Sequence, residues 1–249
     1  MVDELVDVAA FVGEWPFRRV PGTTPASLRS LQEKVGVTHV LVSPIQAMFQ
    51  PVGHAENRYW ATELADNPFF TFVPVLNPSL PGAEQELTQW QGPVRLLPGA
   101  HDYALDTMVD WVRAAGEQGS TVLVQVRMED QRTAHHRFVL PEVSVDAIAS
   151  VAEAAPDTRL VVVGARPPEI VAICHRTKPG QVWADFSQAE QLDLVRRLTD
   201  QVGAERLLVG SHAPIYVAEA IPAKLDVADL TDDELTAVRI GNARAAGLV

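Results

Sequence analysis

The densest group of chemically useful side chains follows the apolar segment Thr121–Val126. It contains basic, acidic and imidazole groups: Arg127, Glu129, Asp130, Arg132, His135 and His136. Guanidinium groups can hold a carboxylate or a phosphate through paired hydrogen bonds, and a histidine beside acidic groups can transfer a proton near neutral pH. We therefore predict contacts with a substrate for four of them: Arg127, Arg132, Asp130 and His135. The alternative is a solvated loop whose opposite charges pair with one another.

A second candidate centre combines His212 with Asp185. His212 follows an apolar segment that ends in Gly210 and Ser211, and a neutral imidazole accepts a proton at pH 7, so we predict His212 as a general base. A structural histidine at a strand end is the alternative. Asp185 ends another apolar segment and could orient His212 as in a carboxylate–imidazole pair. It could equally cap a helix that begins near Gln188, which is a common use of aspartate.

Three further polar residues lie beside apolar segments. Arg18 follows the aromatic residues Trp15 and Phe17, and this group could cover an anionic, partly apolar ligand; a packed loop is the alternative. His101 could contact a ligand or begin the helix that follows it. Arg95 lies inside an apolar segment, where a buried guanidinium would need a carboxylate partner.

The elements that position these residues alternate along the chain. Eight short apolar segments are typical of parallel strands buried on both faces: Leu5–Val12, Thr38–Val42, Phe70–Leu76, Pro93–Leu97, Thr121–Val126, Arg159–Val163, Val182–Phe186 and Arg206–Val209. Segments with helical spacing lie between them, including Pro25–Val35, Asp106–Glu117, Val145–Ala155 and Ala189–Gln201. The alternation predicts βαβ units and a parallel sheet.

The number of these units favours a closed barrel. The chain has 249 residues, which is the typical size of one (β/α)8 barrel, and no glycine-rich phosphate-binding turn follows the first apolar segment. We predict an α/β fold with a single (β/α)8 TIM-type barrel domain over residues 1–249. In such a barrel, chemistry takes place at the carboxyl ends of the strands, where the candidate residues follow their apolar segments.

Composition narrows the classes of partner. The net charge of −12 argues against a nucleic-acid or anionic-membrane binder, because phosphate groups require clustered basic residues. Cys174 is the single cysteine, so no disulfide within the chain and no cysteine-based metal site is expected. With no apparent signal peptide or apolar span, we expect a cytoplasmic protein with a small-molecule substrate and no cofactor. A homodimer is left open.

Several segments resemble a known family. Val6–Gly13 is similar to its first strand, Phe72–Pro78 to its third strand and the Asn-Pro that follows, and Val94–Pro98 to its fourth. Arg206–Pro214 and Ile240–Leu248 are similar to its eighth strand and C-terminal helix. The chain thus resembles the amidohydrolase superfamily, in particular the amidohydrolase-2 branch, which includes aminocarboxymuconate-semialdehyde decarboxylase and dicarboxylate lactonases. The resemblance implies a catalytic barrel for small carboxylated or polar substrates.

The chain departs from this family at the metal-ligand positions. The His-x-His of the family's first strand corresponds to Ala9 and Phe11, which have no lone pair for a metal. The family's metal-binding histidine on the fifth strand corresponds to a position near Gln125 or Arg127, and its histidine on the sixth strand to a position near Gly164. The family's aspartate on the eighth strand corresponds to His212. A single imidazole is not a metal site, so we expect no metal bound in the family's manner.

The first functional hypothesis is a metal-independent hydrolase that acts on a lactone, ester or amide. In it, His212 is the general base, Asp185 orients His212, and Arg127 and Arg132 hold a substrate anion or an oxyanion.

Two alternatives remain open at this point. One is a lyase or isomerase, such as a decarboxylase, which needs the same arginines but no activated water. The other is a catalytically inactive barrel that binds a ligand or a partner. Ala9 and Phe11 favour this last hypothesis, because an apolar plug at a metal position indicates a filled site.

Overall fold

The computed structural model describes residues 4–132, 134–136 and 138–249. The strands are β1 (Val6–Val12), β2 (His39–Pro44), β3 (Phe70–Phe72), β4 (Val75–Leu76), β5 (Val94–Leu96), β6 (Val122–Gln125), β7 (Leu160–Val163), β8 (Val182–Asp185) and β9 (Leu207–Leu208). The α-helices are α1 (Pro25–Lys34), α2 (His54–Leu64), α3 (Ala83–Leu87), α4 (Pro98–His101), α5 (Val109–Glu117), α6 (Val145–Ala154), α7 (Pro167–Arg176), α8 (Leu194–Val202), α9 (Ala220–Asp226), α10 (Asp232–Thr236) and α11 (Asn242–Ala245). Short 3₁₀ turns lie at Gln46–Phe49, Leu105–Met108 and Ala204–Arg206, and a π-helical turn at Ala237–Gly241 joins α10 to α11.

The strands form a ring of parallel neighbours. β1, β2 and β3 pair in that order, and β4 to β9 pair in a second run. β3 and β4 are two parts of one predicted strand, interrupted at Pro74, which has no N–H for a ladder hydrogen bond. The chain after β9 returns to β1, where Val8 N donates to Val209 O at 2.9 Å. The prediction of a (β/α)8 barrel is confirmed.

Local sequence explains where several helices begin. Thr24 accepts a hydrogen bond from Ser27 N and Pro25 occupies the first turn of α1, which is favourable at a helix start. Ser144 caps α6 in the same way. The helix predicted over Ala189–Gln201 begins only at Leu194, so the predicted capping role of Asp185 near Gln188 was wrong. None of the helices described has the length and apolar character of a membrane span.

The core has three parts. The largest lies between the strands and the surrounding helices, as expected for strands that are apolar on both faces. A second apolar layer inside the barrel includes Val8, Leu123 and Trp183 and is covered by residues of the C-terminal helix. A third includes Phe11 and Trp15, close to the carboxyl ends of the strands. Polar residues of the barrel interior lie between the last two layers.

Candidate functional site

Arg95 on β5 places a positive charge inside the barrel. Its side chain is completely buried, and its Cζ lies 4.5 Å from the centroid of the Phe11 ring. Nη1 donates to Gln125 Oε1 at 3.0 Å and Nη2 donates to Val8 O at 3.3 Å. Burial lowers the pKa of Arg95 to about 10, while the nearby carboxylates of Asp185 and Asp7 oppose that shift. The guanidinium is therefore charged at pH 7.

Asp185, at the end of β8, is one of those carboxylates. Its Oδ1 accepts hydrogen bonds from Gly164 N at 2.9 Å and from Ser187 Oγ at 3.1 Å. Its Oδ2 is buried and has no hydrogen-bond partner. Burial raises the pKa of Asp185 to about 6, because a carboxylate without water is costly to charge. Its negative charge acts on Arg95 without a direct ion pair.

His212 lies in the same interior and is also completely buried. Its Nε2 lies 2.8 Å from Met128 O, and its Nδ1 has no hydrogen-bond partner. Burial and the nearby charge of Arg95 lower the pKa of His212 to about 3. The predicted pairing of Asp185 with His212 was wrong, because Nε2 faces a carbonyl and Asp185 bonds elsewhere. The general-base role of His212 stays a prediction, with its imidazole out of contact with solvent.

Aromatic side chains close the barrel above these residues. The rings of Trp15, Phe17, Phe49 and Phe138 form what we call the aromatic cap. Phe17 and Phe138 have ring centroids 4.3 Å apart, and Trp15 contacts both at 5.3 and 5.5 Å. Trp15, Phe17 and Phe138 pack in one cluster with Phe11, and Phe49 lies at its exposed edge, with its ring centroid 5.5 Å from that of Phe138. Phe11 and Trp15 are buried beneath the other rings.

The axial side chains do not fit a divalent metal ion held in the family's manner. Ala9 and Phe11 offer no donor atom, Gly164 has no side chain, and the Nε2 of His212 is occupied by a carbonyl. The guanidinium of Arg95 contacts two of the aligned residues, Phe11 and Gln125, and would repel a cation. Among the described residues, no three His, Cys, Asp or Glu side chains converge as a metal-binding group.

Arg127 has a role different from the one predicted. Its side chain is 2% exposed and donates to Glu142 at 3.0 and 2.9 Å and to Glu169 at 2.8 and 2.6 Å. Nη1 also donates to Gly164 O at 2.7 Å. Hydrogen bonds to these two carboxylates raise the pKa of Arg127 further. Since its donors are already used inside the protein, the prediction that Arg127 holds a substrate anion finds no support in this geometry.

The structure brings Asp130 and Arg132 together at the protein surface. Arg132 Nη2 donates to Asp130 Oδ2 at 2.7 Å and also bonds to Glu190. Hydrogen bonds from Arg132 lower the pKa of Asp130 to about 2. Asp130 N donates to the hydroxyl of Tyr216 at 2.9 Å. The predicted mixed-charge loop therefore forms, and two of its residues border a groove.

The other three predicted residues lie apart from this pair. Arg18 donates to Ile215 O at 2.7 Å and forms an ion pair with buried Glu129. His101 Nε2 contacts Ala47 O at 3.0 Å, and burial lowers the pKa of His101. His135 is exposed and stacks on Phe17 of the aromatic cap, with ring centroids 5.5 Å apart. These contacts position loops over the end of the barrel.

A groove at the carboxyl ends of the strands was missed from the sequence. It has a volume of about 360 Å³ and lies between the segments that follow β8 and β9 and helix α9; we call it the α9 groove. Its lining includes Ala189, Ile215, Tyr216, Ala220, Ile221 and Lys224. Asp130, Arg132 and Glu190 also line it. A volume of this size suits a small molecule.

Lys224 is the buried charge of this groove. Its side chain is 6% exposed, and its Nζ donates to Phe186 O at 3.2 Å and to Ser187 O at 3.3 Å. Burial lowers the pKa of Lys224, and the charge of Asp185 opposes that shift. The residues next to Lys224 in sequence do not indicate a binding role, because a lysine in a short amphipathic helix is common. Lys224 is unusual only because apolar residues surround it in the folded structure.

Comparison of whole structures gives related folds. The chain is similar to 5-carboxyvanillate decarboxylase from Sphingomonas paucimobilis, with a TM-score of 0.75, 14% identity and 99% of each chain covered. It is also similar to a dihydroxybenzoic acid decarboxylase from Polaromonas solved with bound manganese, with a TM-score of 0.70, 13% identity and 98% and 96% of the two chains covered. An amidohydrolase from Mycobacterium avium subsp. paratuberculosis gives a TM-score of 0.65 at 13% identity, with 90% of this chain and 73% of that chain covered.

Comparison of the sequence alone gives no such relatives. No protein-family model matches the chain, and comparison with curated proteins gives no match. Identities of this size establish the fold alone, and the family resemblance in the strand segments agrees with that fold. The chain therefore has the (β/α)8 barrel fold of the amidohydrolase-type decarboxylases and amidohydrolases.

Proposed function

We propose that this chain is a ligand-binding barrel with a closed axis and that it binds a small carboxylated molecule in the α9 groove. The carrying observation is the ammonium group of Lys224, which is buried against an apolar groove without a salt bridge among the described residues. Buried charges require a partner of opposite sign or a full set of hydrogen bonds.

The hydrogen bonds of Lys224 leave room for such a partner. An ammonium group has three N–H donors, and the carbonyls of Phe186 and Ser187 accept two of them. A ligand carboxylate can accept the third and neutralise the charge. The carboxylate of Asp185 acts on Lys224 electrostatically but does not contact it, so the direct position is left for a ligand.

The remaining lining suits an apolar body attached to the carboxylate. Ile215, Ala220 and Ile221 supply aliphatic surface, and Tyr216 supplies a ring and a hydroxyl. The Tyr216 hydroxyl accepts hydrogen bonds from Asp130 N and from Gln188 Nε2. These two donors fix the ring at one side of the groove. Sites with apolar walls and few polar groups are typical for small ligands.

Arg132 has a secondary role in this proposal. Its side chain is 70% exposed and already paired with Asp130 and Glu190. A paired and solvated guanidinium attracts a ligand anion weakly. Arg132 therefore shapes the edge of the groove, while Lys224 supplies the anchoring charge.

Hydrolysis with His212 as the general base has less support. A catalytic base must lie within hydrogen-bond reach of its substrate, and His212 is completely buried. Its ring centroid lies 5.2 Å from that of Phe11, and its Nε2 faces the carbonyl oxygen of Met128. Its pKa of about 3 also makes it a weak proton acceptor.

Decarboxylation is the second candidate function. It is favoured by the fold shared with proteins named as carboxyvanillate and dihydroxybenzoate decarboxylases, and by the cationic end of the α9 groove. Incubation of the protein with a carboxylated substrate in ¹⁸O-labelled water distinguishes the two reactions. A decarboxylase releases CO₂ without placing label in the organic product, whereas a hydrolase incorporates the label.

Calorimetric titration with benzoate and benzamide tests the binding proposal. The two probes have similar size, but benzamide carries no charge. We expect benzoate to bind more tightly than benzamide, and the Lys224→Met variant to bind benzoate about 10-fold or more weakly, since a hydrogen bond to a charged group contributes about 1.5–3 kcal/mol.

Lys178→Met is the matched control, because Lys178 is exposed and lies outside the groove. It should bind benzoate as the wild type does. Equal affinities for benzoate and benzamide, or unchanged benzoate binding by Lys224→Met, would exclude Lys224 as the anchor.

The remaining expectations about partners and location stay predictions. The net charge of −12 favours the absence of nucleic-acid binding. A homodimer is tested by light scattering of the purified protein, and a cytoplasmic location by imaging of a tagged chain in its cell.

A further inference from the structure

We infer that the Arg95 guanidinium is the built-in cation of this barrel, in the place where the related fold holds a metal ion. Arg95 lies at the barrel axis and not in the α9 groove, so its role does not depend on a ligand in that groove. Among the described residues, the axial side chains do not form a metal-binding set.

The guanidinium lies next to residues at the aligned positions. It lies over Phe11 at 4.5 Å and bonds to Gln125 at 3.0 Å, and its charge acts on His212. All three residues occupy positions that the sequence resemblance aligns with the family's metal-binding or metal-adjacent side chains. One cationic group thus lies among several aligned positions.

The surrounding groups complement a cation that is flat and singly charged. Phe11 presents a ring face, which attracts a guanidinium by a cation–π interaction. Gln125 Oε1 and Val8 O are neutral acceptors, and neutral acceptors suit a guanidinium better than a divalent ion, which prefers carboxylate and imidazole ligands. The carboxyl groups of Asp185 and Asp7 act on this cation from a longer range and favour its charged form.

The charge of Arg95 also acts on its neighbours. Burial lowers the pKa of His212 and the charge of Arg95 lowers it further, so the imidazole stays neutral at pH 7. Gln125 uses its other end to donate to Arg127 O at 2.7 Å, which fixes its Oε1 toward Arg95. The side-chain amide of Gln125 is therefore oriented with its oxygen toward the positive charge of Arg95.

Chemical rescue tests this assignment. Arg95→Ala removes the cation and leaves space for free guanidinium, and Leu41→Ala makes an uncharged cavity in another buried strand position. We expect Arg95→Ala to lower Tm by about 10 °C or more. Guanidinium chloride far below its denaturing range should raise the Tm of Arg95→Ala, but lower the Tm of the wild type and of Leu41→Ala.

Two further variants cover the case in which Arg95→Ala fails to fold. Arg95→Lys keeps the charge, and Arg95→Met keeps a similar length without it. We expect the Arg95→Lys protein to have the higher Tm. An Arg95→Met protein as stable as Arg95→Lys would overturn the inference, because the site would then need volume and not charge.

Metal titration of the wild type completes the test. With Arg95 in place, MnCl₂ and ZnCl₂ should leave Tm unchanged relative to protein treated with EDTA, and metal analysis should find no stoichiometric metal. A metal ion that binds the wild type at one equivalent and no longer binds when Gln125 or His212 is replaced would contradict the assignment.

Discussion

The His212 Nε2 lies 2.8 Å from the carbonyl oxygen of Met128. Because a carbonyl only accepts, the imidazole proton lies on Nε2, and the bare Nδ1 is buried without a partner. A second proton would have to enter a site that is closed to water and lies close to the charge of Arg95. These conditions explain why the pKa of His212 falls to about 3.

The stability of the wild type should therefore depend on His212 at acidic pH. The unfolded chain binds a proton at His212 near pH 6.5, whereas the folded protein does not until about pH 3. The contribution of His212 to the free energy of unfolding is therefore fully present above pH 6.5 and decreases as the pH falls below that value. Asp185, with its pKa raised to about 6, contributes the opposite slope below pH 6, because its buried charge is then neutralised.

Replacing His212 by asparagine isolates the histidine contribution. His212 has a φ of 57°, and asparagine tolerates this left-handed conformation. Between pH 7.5 and 5.0, the difference in unfolding free energy between wild type and His212→Asn should shift by about 2 kcal/mol toward the variant. Urea unfolding at both pH values measures this difference. A constant difference would mean that His212 titrates alike in both states.

The interaction of Arg95 with Phe11 should be measurable as stability. Phe11→Leu keeps an apolar side chain but removes the ring face beneath the guanidinium. We expect it to destabilise the protein by about 1–2 kcal/mol more than Phe70→Leu. Phe70 is buried on β3 and is the matched control. Equal losses in urea unfolding would show that the ring contributes only apolar volume.

Arg127 should contribute to stability more than to ligand affinity. Arg127→Met leaves Glu142 and Glu169 without the cation that holds them, and breaking such a pair costs about 3–5 kcal/mol. Arg113 forms an exposed pair with Asp110, so Arg113→Met should cost at most about 1 kcal/mol. Urea unfolding of the two variants measures the loss of unfolding free energy in each. Comparable losses would contradict the structural role of Arg127.

The fold was predictable because its signal is local and repeated. Segments such as Leu160–Val163 are apolar on both faces, and their alternation with amphipathic segments leaves few topologies. Two elements differ from the prediction for local reasons that the hydrophobic periodicity does not indicate. Pro74 divides one predicted strand, and the segment before Leu194 forms the wall of a groove instead of a helical turn.

The site was predictable only in its general position. The rule that function lies at the carboxyl ends of barrel strands selected the face on which the α9 groove lies, but it could not show which charges are paired. Glu142 and Glu169 are 15 and 42 residues from Arg127 in sequence, so their pairing arises from the fold. Arg95 and Lys224 are unusual because their charged groups are buried, and the residues next to them in sequence do not indicate this burial.

Gly210 separates the axis from the α9 groove and should not tolerate a side chain. A Cβ at this position would lie 2.2 Å from Asp185 Oδ2 and 2.9 Å from Ala9 Cβ. Gly210→Ala must therefore displace a buried carboxylate, and we expect a loss of about 1–3 kcal/mol. Gly241→Ala is the control, because its Cβ would meet nothing closer than 3.5 Å and alanine favours a helix. Thermal unfolding should show a lower Tm for Gly210→Ala and an equal or higher Tm for Gly241→Ala. A Gly210→Ala protein of unchanged Tm would show that Asp185 can move freely, which its hydrogen bonds to Gly164 and Ser187 argue against.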